Sequence, residues 1–257
     1  MKGSAFEIEC KRAELAATGR LKELRKLYSS KYPEIKDGNT ANFWDTRYKK
    51  RTTLAEQDGM TRNRCQIAAS FCPTSKFVKF KILDIGMGDG WLEEILENKN
   101  VELCGNDISD VTIKHVKKRF KGEFSVQSIY NMDYKEYFPA VYLLEVLEHV
   151  RPSKTFDVLY DILHLLPASG DLIVSVPTNE GLETMPNNPN SHLRMYTVPL
   201  ICAELKLAGF EVKEVKTLYA FPKYYAFKKF IAFFWRNHWK PNNIIVHAKV
   251  GAPPVYG

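Results

Sequence analysis

At 257 residues the chain suits one large domain, or one domain with an added subdomain, and its 45% hydrophobic against 26% charged residues exclude a disordered chain. The five cysteines, odd in number and without C-x-x-C spacing, exclude a disulfide framework, and no apolar run approaches the ~20 residues that span a bilayer. The net charge of +7 belongs to one end: no acid follows Glu214, whereas Lys216, Lys223, Lys228, Lys229, Arg236, Lys240 and Lys249 do, so acidic partners would have to meet that part.

Residues 6–30 place Ile8, Leu15, Leu21, Leu24, Leu27 and Tyr28 at helical spacing around a break at Gly19, which predicts one or two packing helices. Phe43, Trp44 and Tyr48 follow at helical spacing, and from spacing alone they are as much core candidates as pocket candidates. A helix over Met60–Phe71 leads to a strand from Phe80 to Ile85. From there helix and strand patterns alternate: a helix from Gly90, a strand over Val101–Asp107, a helix over Ser109–Phe120 and strands over Glu123–Gln127 and Ala140–Leu144. A helix over Ser153–Leu165, a strand over Asp171–Val176, a helix ended by Gly209 and strands over Phe210–Val215 and Ile244–Val250 complete the series. This alternation predicts an α/β, doubly wound, Rossmann-like sheet with helices on both faces and ligands at the strand C-termini. The expected division is an N-terminal helical cap over 1–75, a cofactor-binding domain over 76–250 with an insertion at 218–243, and a tail over 251–257. With no apolar leader at the N-terminus, a cytoplasmic location is expected.

The stretch Lys81–Gly90 is the most specific part. A short apolar strand carrying Asp84 runs into Gly86-Met87-Gly88-Asp89-Gly90 and then into a helical pattern, so a tight loop opens on a helix N-terminus with unpaired N–H groups. The dinucleotide fingerprint is G-x-G-x-x-G, whereas this loop is G-x-G-x-G with Asp84 and Asp89 beside it. Acids so placed repel a pyrophosphate but tolerate a sulfonium nucleoside with a zwitterionic tail, which favours S-adenosylmethionine over NAD. Asp107 ends the second strand at the distance where a βαβ unit presents a carboxylate to ribose hydroxyls.

Together with Leu144–Val150 and Leu166–Pro177, these segments resemble the class I S-adenosylmethionine-dependent methyltransferases over roughly Asn42–Val250, closest in pattern to small-molecule O-methyltransferases of the ubiquinone-pathway type. The resemblance implies a seven-stranded sheet, mostly parallel, with an antiparallel C-terminal edge pair. It implies cofactor contacts from Asp84, Gly86, Gly88, Gly90, Asp107, Ile108, Ser128, Ile129 and Glu145, and it lays Trp44, Arg47 and Tyr48 over the cofactor and substrate mouth. Two positions depart from the family pattern. Ser128 stands where an acid usually contacts adenine, and Ala140 where an aspartate usually enters the fourth strand.

Glu145, Glu148 and His149 fall at i, i+3 and i+4, which share a face if the chain turns helical after the fourth strand. With His192 they resemble the Mg²⁺ or Mn²⁺ site of metal-assisted O-methyltransferases. The reading favoured over a metal is that Glu145 only fixes the loop by hydrogen bonds and His149 serves as the base or packs. His192 and Arg194 are further candidates for the acceptor pocket, beside Trp44 and Tyr48. The aromatic, basic stretch 222–239 reads as a lid or packed insertion, a peripheral membrane contact, or, third, a nucleic-acid surface. The leading function is O-methylation of a small or lipid-linked metabolite. A metal-dependent RNA 2′-O-methyltransferase and an idle cofactor-binding module stand as alternatives.

Overall fold

The protein is seen in a computed structural model that describes residues 4–30, 37–49, 58–178, 191–219, 221, 224–234 and 240–251. The N-terminal pattern forms α1 (Ala5–Ala17) and α2 (Leu21–Tyr28), with Gly19 at a φ of 69° in the break between them. Ser4 and Glu7 close a capping box at the start of α1. The aromatic segment forms α3 (Ala41–Lys49), and α4 (Asp58–Ser70) leads to β1 (Phe80–Ile85). Then come α5 (Trp91–Leu96), β2 (Val101–Asp107), α6 (Asp110–Arg119), β3 (Gly122–Val126) and β4 (Ala140–Leu144). The series ends with α7 (Thr155–His164), β5 (Asp171–Pro177), α8 (Val198–Leu207), β6 (Phe210–Leu218), α9 (Tyr225–Phe234) and β7 (Asn243–Val250).

The seven strands form one sheet in the order β3-β2-β1-β4-β5-β7-β6. The first five pair in parallel, and β7 runs antiparallel to both β5 and β6, as expected. Alternate side chains go to opposite faces. Leu83, Leu143 and Val174 join one apolar cluster, under α1, α2, α7 and α8, while Ile82, Tyr142 and Ile173 join the other, under α4, α5 and α6. Leu15, Ala16, Leu24 and Tyr28 of the first two helices belong to the same cluster as the sheet. Strand order reverses between β1 and β4, and such a switch point leaves a crevice at the strand C-termini.

Two expectations change. No α-helix starts directly at the end of β4. Glu145 takes a φ of 57°, and after it only a short 3-10 turn forms over Leu147–His149, so Glu145 does not share a helical face with Glu148 and His149. The aromatic segment is not packed inward. Of α9 only Ala232 is buried, whereas Tyr224, Phe227, Phe230 and Phe234 are exposed. Trp235, Trp239, Lys223 and Arg236 lie outside the described residues. No helix among the described residues is long and apolar enough to cross a membrane.

Candidate active site

The glycine loop folds as its spacing requires. Gly86 has a φ of 73°, and a Cβ built on it would lie 2.4 Å from a methyl of Val146, so both conformation and space demand glycine. The N–H groups of Gly86 and Met87 donate to the Asn106 carbonyl, stitching the loop to the end of β2. Asp107 then accepts from Gly88 N–H at 3.1 Å and Ser109 N–H at 2.8 Å. Burial, with Asp89 and Asp45 nearby, raises its carboxyl to about 6 against the pull of those two N–H groups. Gly90, with a φ of 78°, caps the start of α5, and a Cβ there would sit 2.8 Å from the Phe120 ring, so both the turn and the fit of α5 against the end of α6 call for glycine.

The cleft has two adjoining chambers. The larger, a cavity of about 520 Å³, is walled by Asp84, Gly88, Arg64, His192 and neighbours, and the smaller, of about 100 Å³, by Asp107, Ile108, Ser128 and Ile129. Gly86, Glu145, His149, Trp44 and Tyr48 border both. Trp44 and Tyr48 therefore belong to the pocket and not to the core. They are carried there because Asp45 accepts from the Ser109 hydroxyl at 2.5 Å and from Val111 N–H at 3.3 Å, which ties α3 to the N-terminus of α6. Arg47 lies over the Trp44 ring at 5.7 Å.

On the acceptor side, His149 Nδ1 lies 3.2 Å from the Ser191 carbonyl. A carbonyl only accepts, so Nδ1 carries the proton and Nε2 is left as an acceptor. The ring sits edge-on between Trp44 at 5.0 Å and His192 at 4.9 Å. Burial, with His192 and Arg47 adding to it, holds the imidazole down to about 3, so it is neutral at physiological pH. The Glu148 carbonyl accepts from Leu193 N–H at 2.8 Å and Arg194 N–H at 3.2 Å, zipping the two histidine segments together.

Glu145 borders both chambers but is not among the candidate metal ligands, and Arg194 does not take the pocket role read from the sequence. Glu145 Oε1 accepts from Ser175 at 2.8 Å and Asn243 at 2.9 Å, and Oε2 pairs with Arg64 at 3.2 Å. Both oxygens are engaged, so Glu145 leaves the set of metal ligands and acts in the pocket wall by holding Arg64. Arg194 is fully buried, donates to the Leu147 carbonyl at 2.9 Å and pairs with Glu204 at 3.4 Å. It holds the turn that carries His149 and touches neither chamber. Among the described residues, Glu148, His149 and His192 are the group whose ligand atoms lie within 4.8 Å of one another.

The sequence profile of a methyltransferase domain matches residues 43–215. The chain belongs to that methyltransferase family. Its fold is that of the class I S-adenosylmethionine-dependent enzymes, the superfamily expected from the four motifs. No curated protein matches it. Similar solved structures include an Archaeoglobus fulgidus S-adenosylmethionine-dependent methyltransferase, with a TM-score of 0.58 and 18% identity over 79% of this chain and 97% of that one. A Burkholderia thailandensis 1,6-didemethyltoxoflavin N1-methyltransferase, solved with its substrate and S-adenosylhomocysteine, gives 0.62 and 13% over 86% and 93%. The [4+2]-cyclase SpnF gives 0.59 and 16% over 79% and 86%, so this fold does not by itself dictate the reaction.

The methyltransferase pocket contains a residue that sequence reasoning missed. Arg64 projects from α4 into the larger chamber, and its Nε is buried with no hydrogen-bond partner among the described residues. Asp84 Oδ1 is orphaned in the same way, and burial beside Glu93 raises the Asp84 carboxyl well above the usual carboxylate range, as burial brings Glu93 to about 7. An orphaned guanidinium N–H and an orphaned carboxyl in one chamber complement the carboxylate and ammonium of an amino-acid tail. The only sequence signal for Arg64 is a charge within the apolar face of a helix, since Cys65 and Ala68 beside it are buried.

Proposed function

We propose that this methyltransferase moves the methyl group of S-adenosylmethionine to a hydroxyl oxygen of a small or lipid-linked metabolite, with His149 receiving the proton. The observation that carries the reading is the His149 ring, whose tautomer is set by Ser191 so that a neutral Nε2 acceptor stands in the wall shared by both chambers. The donor supplies an electrophilic methyl on a good leaving group, and most of the barrier can be met by alignment, about 7 to 11 kcal/mol. The chain's own part is to hold the donor and the acceptor. Asp107 takes ribose hydroxyls, Ile108, Ile129 and Val146 flank adenine, Arg64 and Asp84 take the amino-acid tail, and Trp44 and Tyr48 cover the site. Incubating extracts with labelled donor and identifying the product tests it: label on oxygen of a metabolite is expected, and label found only on nitrogen, carbon or RNA overturns the reading.

Donor binding has its own test. Asp107→Ala is expected to weaken S-adenosylhomocysteine by roughly 1 to 3 kcal/mol, because buried hydroxyls lose an acceptor. In the native protein, affinity should be full above about pH 6 and fall as the pH drops through the raised Asp107 value, since the protonated carboxyl accepts less well. Calorimetry in buffers of different ionisation enthalpy should show a proton released on binding near that pH. A pH-independent affinity would remove Asp107 from the contact.

A second reading rests on the convergence of Glu148, His149 and His192. With Glu145 withdrawn, the set is one carboxylate and two imidazoles, which suits Mn²⁺ and other first-row metals better than Mg²⁺. A cation there would polarise an acceptor oxygen. On this reading EDTA abolishes turnover while leaving donor affinity unchanged, and Mn²⁺ restores it. Full activity in EDTA leaves His149 acting alone.

A further inference from the structure

We propose that α9 is an interfacial anchor that seats this protein on an anionic lipid bilayer beside the mouth of the cleft. Phe227, Phe230 and Phe234 recur at i, i+3 and i+7, so they share one face, and Tyr224 just before the helix extends it. Their exposures of 65%, 63%, 64% and 77% make a continuous aromatic surface of a kind soluble proteins seldom present without a use. The opposite side of the helix is the one that docks. Ala232 is buried, Tyr225 packs over Gly59, and Lys229 Nζ reaches Asn63 Oδ1 on α4 at 2.9 Å. The aromatic face therefore points away from the protein.

Charge selects the occupant. Lys228 lies to one side of the aromatic face, Lys240 is exposed nearby in sequence, and no acid follows Glu214. A second copy brought face to face would oppose lysines to lysines. Single-stranded nucleic acid needs its cations and rings on one side, and here the lysines lie toward the docked side of the helix. A bilayer with anionic headgroups supplies both apolar depth for the rings and negative charge at the level of the flanking lysines. The position fits an acceptor arriving from a membrane, because α4, on which α9 sits, contributes Met60 and Arg64 to the larger chamber. Anchoring itself stands on this surface and does not depend on which acceptor is methylated.

The test is co-sedimentation of the full chain with vesicles of phosphatidylcholine alone and of phosphatidylcholine with phosphatidylglycerol. Binding to the anionic vesicles, weakened by salt, is expected, with at least roughly a tenfold loss in Phe227→Ser/Phe230→Ser/Phe234→Ser and a smaller loss in Lys228→Glu/Lys240→Glu. Phe77→Ser is the control, because Phe77 is 95% exposed but precedes the opposite, N-terminal end of β1. The single variant Phe230→Ser keeps the test open if the triple variant misfolds, and S-adenosylhomocysteine binding reports folding in each. Absence of binding to both vesicles, or binding unchanged in the aromatic variants, overturns the anchor. So does a concentration-dependent dimer or single-stranded RNA binding that those variants abolish while vesicles are ignored.

Discussion

Glu204→Ala is expected to destabilise the protein by about 3 to 5 kcal/mol, roughly 6 to 20 °C in melting temperature for a chain of this size. Glu204 is fully buried and accepts from Arg12 at 2.5 Å and from the Tyr196 hydroxyl at 2.9 Å while pairing with Arg194 at 3.4 Å. Glu9, which also bonds Arg12, and Tyr28, at 2.7 Å from Arg12, complete the group. Two guanidinium groups and two acids thus meet in the buried core between α1 and α8, where burial raises the Glu204 carboxyl to about 7 against the pull of Arg12. Removing one carboxylate leaves the two cations facing a single acid, and the cost is the desolvated charge left over. Because Arg194 also holds the Leu147 carbonyl, the same variant should loosen the turn bearing His149 and lower activity before it unfolds. Urea denaturation measures the stability. A loss below about 1 kcal/mol would show that water reaches the network and relieves the charge.

His149→Ala is expected to lower kcat by roughly 10²-fold, the low end of the range for loss of a positioned base because burial makes this imidazole a weak one, while donor affinity stays within a few-fold. The ring makes its polar contact with Ser191 on the acceptor side, so cofactor binding has little to lose. The pH dependence separates a buried imidazole from an ordinary one. An ordinary imidazole would make the rate fall as pH drops through about 6.5. Burial holds this one down to about 3, so the neutral form persists as the pH falls, and kcat at saturating donor should be flat from about pH 5 to 8 as far as His149 is concerned. Measuring kcat at saturating donor keeps the Asp107 titration out of the profile. A limb near 6.5 that disappears in His149→Ala would mean the imidazole is solvated in the working enzyme.

Residues whose work depends on near neighbours in the chain are legible in the sequence. The Lys81–Gly90 run combines strand, turn and helix start within ten positions, and Asp107 follows one βαβ step later, so spacing alone points to the loop, its Gly86 conformation and the cofactor class. The strand and helix alternation likewise carries the parallel part of the sheet, because burial on both faces imposes continuous apolar runs on strands and a helical period on their connections, whereas the antiparallel edge was legible only through the family resemblance. Gly90 marks the edge of that legibility: its φ of 78° is a local demand for glycine, but the Phe120 ring that also leaves no room for a side chain lies thirty residues away.

What only the tertiary structure decided is the pairing of charges and the direction of faces. Glu145 and Arg194 stand in sequence among plausible site residues, yet Arg64, Asn243 and Ser175 engage the first, and Glu204 and the Leu147 carbonyl the second, from elements that meet only after the sheet forms. The same holds for α9, whose rings look like core until the docking of Ala232 and Tyr225 on α4 turns them outward. Sequence determined the sheet, the glycine loop and the cofactor class, because local periodicity and backbone sterics act over a few residues. Tertiary structure decided which acids and bases face the cleft, because a charge takes its partner, its burial and its protonation state from whatever the fold places beside it.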